Sequence, residues 1–196
     1  MKLGYIGDCM IERTLVLIKP DGVKRALLGK IISKFEDVGL KVVAMKMVWP
    51  NKNLADNHYI AEKKWFEDTG KRTIQAYKER GIIIKETPVQ VSTKIRNYLM
   101  DFIASGPVVA FVLEGNDAIF ITRKIVGSTE PRKADPSTIR GAYSSDSYEF
   151  SDERKRPTKN LVHASEDKRT ADREIKVWFK PNEIMDYKRA DEEAMY

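Results

Sequence analysis

A chain of 196 residues with 42% hydrophobic side chains has enough apolar material for one core, and its length favours one domain over two. Its formal charge of +6 balances 35 lysines and arginines against 29 acidic residues, a mixture that suits an anionic partner but also an ordinary solvated surface. The single cysteine, Cys9, excludes an internal disulfide, and no apolar stretch has the length of a secretory h-region or membrane span, so a soluble protein of the reducing cytoplasm is expected.

Thr14 to Lys19 (TLVLIK) is rich in β-formers and reads as the first strand, followed by a turn at Pro20-Asp21-Gly22. Gly29 to Val38 places Ile31, Ile32, Phe35 and Val38 at helical spacing, and Gly39 stands where a left-handed C-terminal cap is common. Lys41 to Trp49 is the second strand. His58, beside Tyr59 in a helical stretch, reads as structural. Glu67 to Lys94 is a polar segment with helical character around Ile74 and Tyr77 and looks like an addition to the plan.

Ser105-Gly106-Pro107 introduces a third strand, Val108 to Leu113, ended by Gly115, and Asp117 is placed to cap a short helix that stops at Gly127. Ser144 to Lys159 (SSDSYEFSDERKRPTK) is a second addition and reads as a flexible loop. Ser165 is the expected N-cap of a last helix in which Ala171, Ile175 and Trp178 recur at helical spacing until Pro181. His163 then stands just before a helix N-terminus. The chain has no internal repeat.

Lys19 to Lys30 carries glycines and lysines, yet it is no P-loop. Six residues instead of four separate Gly22 from Gly29, and Ile31 follows Lys30 where a magnesium-binding Ser or Thr belongs. His163 offers a different chemistry: a neutral imidazole held through one nitrogen can attack an electrophile with the other. Glu174 or Glu166 is available to orient the ring, and Ser165 to hydrogen-bond. Alone, such a histidine is just as well a satisfied structural one. Lys19, Arg123, Arg140 and the Thr129 hydroxyl have the chemistry to hold a triphosphate, but 35 cations allow many such selections.

The order of these residues is more telling. Lys19-Pro20-Asp21-Gly22, His58-Tyr59, Ser105-Gly106-Pro107-Val108-Val109, Thr138-Ile139-Arg140-Gly141, Asn160-Leu161-Val162-His163-Ala164-Ser165, Glu174-Ile175 and Trp178-Phe179-Lys180-Pro181 together resemble the nucleoside diphosphate kinases from about Glu12 onward. The resemblance implies one ferredoxin-like α/β sandwich over residues 1–196, with a four-stranded antiparallel sheet, covering helices and insertions at 67–94 and 144–159. It also implies a homo-hexamer or homo-tetramer.

The activity it implies is a ping-pong transfer of the terminal phosphoryl group from ATP or another nucleoside triphosphate to a nucleoside diphosphate, with magnesium on the nucleotide. By the same resemblance His163 is the phosphorylated residue, Glu174 orients it, Ser165 supports the pair and Tyr59 lies near the transferred phosphate. Lys19 and Asn160 contact sugar hydroxyls and bridging oxygens, and Arg123, Thr129 and Arg140 bind phosphates. Phe66, with Trp65 as the alternative, stacks on the base. Ala142 after Arg140-Gly141, and Glu166 after the His-Ala-Ser run, depart from the usual aspartates. No membrane partner is implied. Nucleic acid is not expected as a primary partner, because the Arg154-Lys155-Arg156 cluster lacks an accompanying aromatic series.

Overall fold

The computed structural model describes residues 11–60 and 62–192, so Cys9 lies outside the described residues. In chain order the elements are β1 (Ile11–Ile18), α1 (Pro20–Lys24), α2 (Leu28–Glu36), β2 (Lys41–Val48), α3 (Lys52–His58), α4 (Lys63–Glu79), α5 (Pro88–Ile103), β3 (Val108–Asn116), α6 (Ala118–Val126), α7 (Ile139–Tyr143), α8 (Tyr148–Glu153), β4 (Val162–Ala164) and α9 (Lys168–Trp178). The sheet runs in the order β2-β3-β1-β4, with every neighbouring pair antiparallel. This is the ferredoxin-like sandwich that the resemblance implied.

LVLI, Leu15 to Ile18, is an unbroken apolar run because β1 is covered on both faces. Val16 and Ile18 pack with Ile31, Phe35, Phe111 and Leu113 beneath α2 and α6. Leu15 and Leu17 face the other way, onto Ala110, Val112, Ile175 and Trp178. The end of β1 that leads into Lys19 is therefore fixed by two cores at once.

The caps follow the sequence with instructive exceptions. Gly39, at φ 85, ends α2 as expected. At α6 Asp117 occupies the cap position with φ 47 but makes no capping bond, and Glu12 of β1 accepts the Ile119 N–H at 2.9 Å instead. The last helix is capped by Asp167, which accepts the Thr170 N–H at 2.7 Å, and not by Ser165. Ser165 is buried, and its hydroxyl is committed to Glu174. Pro20-Asp21-Gly22 opens the short α1 instead of forming a simple turn, since proline suits a first helical turn.

The stretch 67–94 comprises the back of α4, a connection and the front of α5, which pair as a helical hairpin. Gly70 makes this pairing possible: a Cβ there would lie 1.9 Å from the Pro88 carbonyl oxygen. Thr87 and Gln90 form a capping box that starts α5. The stretch 144–159, expected as a loop, is more ordered. Ser147 caps α8 by accepting the Phe150 N–H at 3.2 Å. Asp146 receives both terminal nitrogens of Arg156, at 2.6 and 2.9 Å, and the Lys159 N–H at 2.6 Å, which ties the two ends of the excursion together.

Candidate active site

Lys19 leaves the end of β1 and is only 6% exposed. Its ammonium donates to Asn160 Oδ1 at 2.8 Å, and Asn160 Nδ2 donates to the Thr129 carbonyl at 2.9 Å. Arg140, in the first turn of α7, is 8% exposed and donates to three carbonyls: Asn160 at 3.2 Å, Gly127 at 2.8 Å and Val162 at 2.8 Å. Gly127 can close α6 here because its φ is 83 and a Cβ would meet Thr138 Oγ1 at 2.4 Å.

Among the described residues neither cation has a carboxylate in salt-bridge contact. Burial, together with Arg140, lowers the Lys19 pKa to about 8 against a partial offset from Asp21. Burial also brings Arg140 down to about 10. Two desolvated cations without an ion-pair partner, Lys19 held by the Asn160 side-chain oxygen and Arg140 by main-chain carbonyls, favour an arriving anion. Arg123 on α6 and Thr129 are exposed nearby, and the Arg123 guanidinium has no hydrogen-bond partner among the described residues.

The turn into β4 is strained. Leu161 is fully buried with φ 67, a left-handed conformation unusual for leucine. Its carbonyl accepts the Lys19 N–H at 2.7 Å, and its own N–H is taken by Asp21 Oδ2 at 3.0 Å. These bonds hold Asn160 on one side of the strained residue and His163 on the other.

His163 sits in β4 opposite Leu17, five residues before α9 begins. Its Nε2 lies 2.8 Å from Glu174 Oε2, which also accepts the Ser165 hydroxyl at 2.7 Å. Glu174, on the inner face of α9, is 3% exposed. Burial pushes its pKa up, but the charge and hydrogen bond of His163, with His58 and Ser165, outweigh this and hold it at about 2. An ionised carboxylate only accepts, so His163 carries its proton on Nε2, and in the neutral ring Nδ1 keeps a free lone pair.

His58 closes the inner side of the site. Its ring centroid is 4.5 Å from that of His163 at 86° and 4.6 Å from that of Tyr59. Burial, reinforced by Glu174, pushes the Tyr59 hydroxyl pKa up. The C-terminal carbonyls of α3 are latched by arginines: Arg173 donates to Asn57 and His58 at 3.0 and 3.2 Å, and Arg96 to Tyr59 at 2.7 Å.

Trp65 and Phe66 lie in the first two turns of α4, ring centroids 5.2 Å apart, both partly buried. They stand outside the cation and histidine networks. The excursion carrying α8 leaves next to Arg140 and returns next to Asn160, closed at its neck by the Ser144 hydroxyl on the Lys159 carbonyl at 2.9 Å. Its far end reaches the C-terminus of α4, where Asp152 pairs with the capping residue Arg80 at 2.9 Å. Its near end is fixed to the 130–133 turn, where Tyr148 N–H donates to Glu130 at 3.3 Å and Arg132 pairs with Glu149 at 2.7 Å. Arg156, part of the basic cluster, is consumed by Asp146.

Sequence reading overlooked Asp21, Arg173 and Trp178. Asp21 looked like a turn residue, although a buried aspartate must find donors. Trp178 looked like one member of an apolar stripe, although its indole N–H also needs an acceptor.

An antiparallel α/β sandwich that presents an oriented imidazole beside buried, unneutralised cations is the framework of a phosphoryl-transfer protein. Comparison with known proteins is specific: the family model described as nucleoside diphosphate kinase matches residues 12–80 and 88–184. The nucleoside diphosphate kinase of Pyrobaculum aerophilum is 43% identical over 181 residues, covering 90% of this chain and 99% of that protein. That of Borreliella burgdorferi is 40% identical over 183 residues, covering 93% and 96%.

Among solved structures, an NDP kinase from Pyrobaculum aerophilum superposes with a TM-score of 0.87 at 42% identity, covering 90% of this chain and all of that one. A Borrelia burgdorferi nucleoside-diphosphate kinase, described as a transition state mimic with bound vanadate and ADP, gives 0.76 at 39% identity over 94% and 96%. The chain belongs to the nucleoside diphosphate kinase family. Residues 81–87 fall between the two matched segments, and 144–159 fall inside the second.

Proposed function

We propose that this chain moves the terminal phosphoryl group from ATP or another nucleoside triphosphate to a nucleoside diphosphate through phosphorylated His163. The observation that carries this reading is the 2.8 Å bond between His163 Nε2 and buried Glu174 beside the Lys19, Asn160 and Arg140 network. In the first half, the Nδ1 lone pair forms a bond to the terminal phosphorus. The bond from that phosphorus to the bridging oxygen breaks, and the electron pair leaves with the diphosphate. In the second half, a terminal oxygen of another diphosphate attacks the phosphorus, and the electron pair returns to Nδ1.

Glu174 keeps the reacting nitrogen free of a proton and stabilises the ring as it gains positive character. Ser165 holds Glu174 in place. Lys19 and Asn160 stand for the sugar hydroxyls and the bridging oxygen, Arg123, Thr129 and Arg140 for the remaining phosphate oxygens, and Tyr59 for the transferred group. Phe66 stacks on the base, whose π-face is common to all nucleosides. Magnesium belongs to the substrate. The side chains offered to the phosphates are mainly cations and neutral donors, so the ion is carried by phosphate oxygens and no protein ligand set is assigned to it.

The same reading makes the chain one domain, with 67–94 and 144–159 as additions, working in the cytoplasm as a homo-hexamer or homo-tetramer. Edge strand β2 supports self-association, since Met45 is 46%, Met47 58% and Trp49, just past its end, 68% exposed. No helix among the described residues is long and apolar enough to cross a membrane.

The decisive experiment incubates the full chain with ATP labelled in its terminal phosphate and magnesium. Acid-labile, alkali-stable label should appear on the protein, pass to several added diphosphates, and vanish in His163→Ala. An unlabelled wild type overturns the proposal.

A further inference from the structure

His58 takes no part in the reaction above, yet its side chain is fully buried against both partners of the catalytic pair. Its Nδ1 lies 3.2 Å from the Trp178 indole nitrogen and 3.8 Å from Glu174 Oε1. An indole N–H only donates, so Nδ1 must accept, and the neutral ring carries its proton on Nε2. That Nε2 is buried and has no hydrogen-bond partner among the described residues. Left to itself, the ring would do better with the proton on Nδ1, where a carboxylate lies within a small movement. The arrangement leaves one donor unmade in order to keep Nδ1 bare.

The consequence falls on Glu174. Its Oε2 already takes His163 Nε2 and the Ser165 hydroxyl, while among the described residues its Oε1 takes just one long hydrogen bond, 3.3 Å from Arg173. An N–H on His58 Nδ1 would give Oε1 a strong donor from a second imidazole. The carboxylate would swing toward His58, and its charge would be shared between two rings. His163 would then lose the bond that keeps its own proton on Nε2 and its lone pair on Nδ1. Burial also disfavours a protonated His58, so the ring stays a neutral acceptor.

We propose that Trp178 is a tautomer lock, a positioning residue whose indole N–H keeps the proton off His58 Nδ1 and so reserves Glu174 for His163. The inference rests on His163 being the phosphorylated residue, but its first test needs no turnover. The chain contains two histidines, so a ¹⁵N-histidine spectrum of the whole protein holds only two rings, assigned with His163→Ala. His58 is expected to show an unprotonated Nδ1 and a protonated Nε2 at neutral pH. In Trp178→Phe, the proton should move to Nδ1, and phosphorylation of His163 should slow by about tenfold or more while nucleotide affinity holds.

Removing the competing ring should undo the damage: Trp178→Phe/His58→Phe should be phosphorylated faster than Trp178→Phe alone. A wild-type His58 protonated on Nδ1, or a double variant no faster than the single, overturns the lock. If Trp178→Phe does not fold, the wild-type spectrum decides by itself. An unlabelled wild type in the ATP experiment would refute the kinase reading without touching the tautomer result.

Discussion

On the β1 and β4 side of the cleft, Lys19, Asn160 and Arg140 are nearly inaccessible and are tied to carbonyls of Gly127, Thr129, Asn160 and Val162. On the α4 and α8 side, Trp65 and Phe66 are partly open, and the two helices meet through an Arg80–Asp152 pair whose side chains are 28% and 35% exposed. Under the proposed function the difference matches what each side would have to do. Charge that develops during phosphoryl transfer is best met by donors fixed in advance, away from water. Bases of different outline need a surface that yields.

Neutralising one fixed cation should give the largest effect. Lys19→Met is expected to lower kcat/KM by about 10²- to 10³-fold. It should also raise the melting temperature at pH 7, because a desolvated charge is removed. A variant that is slow and also less stable would mean that Lys19 is structural. The same ammonium predicts an early alkaline limb, with kcat/KM of the wild type falling as pH rises through about 8, below the ordinary lysine range.

The sign for stability is opposite to that of a salt-bridged lysine. The folded pKa of Lys19 lies below its unfolded value, so its charge opposes folding fully below pH 8, and the penalty fades as pH rises toward 10.5. Thermal melts across that window, compared between wild type and Lys19→Met, isolate the contribution.

On the yielding side the effects should be smaller. Phe66→Ala should raise KM roughly tenfold for purine and pyrimidine diphosphates alike, in keeping with one lost stacking contact. An unchanged KM would transfer the stacking role to Trp65. The smallest change is expected for Arg80→Ala: less than about 1 kcal/mol of stability, diminishing further in high salt. Chemical denaturation at two ionic strengths measures it, and a larger loss would place α8 among the rigid parts of the site.

Lys19 and His163 were legible because each lies in a motif whose order along the chain is distinctive, and β1 because two-sided burial leaves an apolar run. What escaped was set by choices between equivalent groups. Ser165 and Asp167 are both good cap residues, and Asp167 prevails because Glu174, from within the helix itself, claims the Ser165 hydroxyl. The charges of 144–159 suggested solvent, but Asp146 selects Arg156 and Asp152 selects Arg80, and such selection is invisible without coordinates. His58 and Trp178 lie 120 residues apart, and nothing local announces that they share a hydrogen bond.

β4 has only three residues, forms an edge of the sheet and hydrogen-bonds β1 alone, yet it carries His163. The bonds that complete the site there, Lys19 to Asn160 and Asp21 to Leu161, span 141 and 140 positions of sequence. Closing so long a loop costs chain entropy that no local turn can repay. With His163 as the proposed nucleophile, residual activity reports on whether this one short segment is in place. Its detachment would silence the molecule while the larger cores above and below β1 remained assembled.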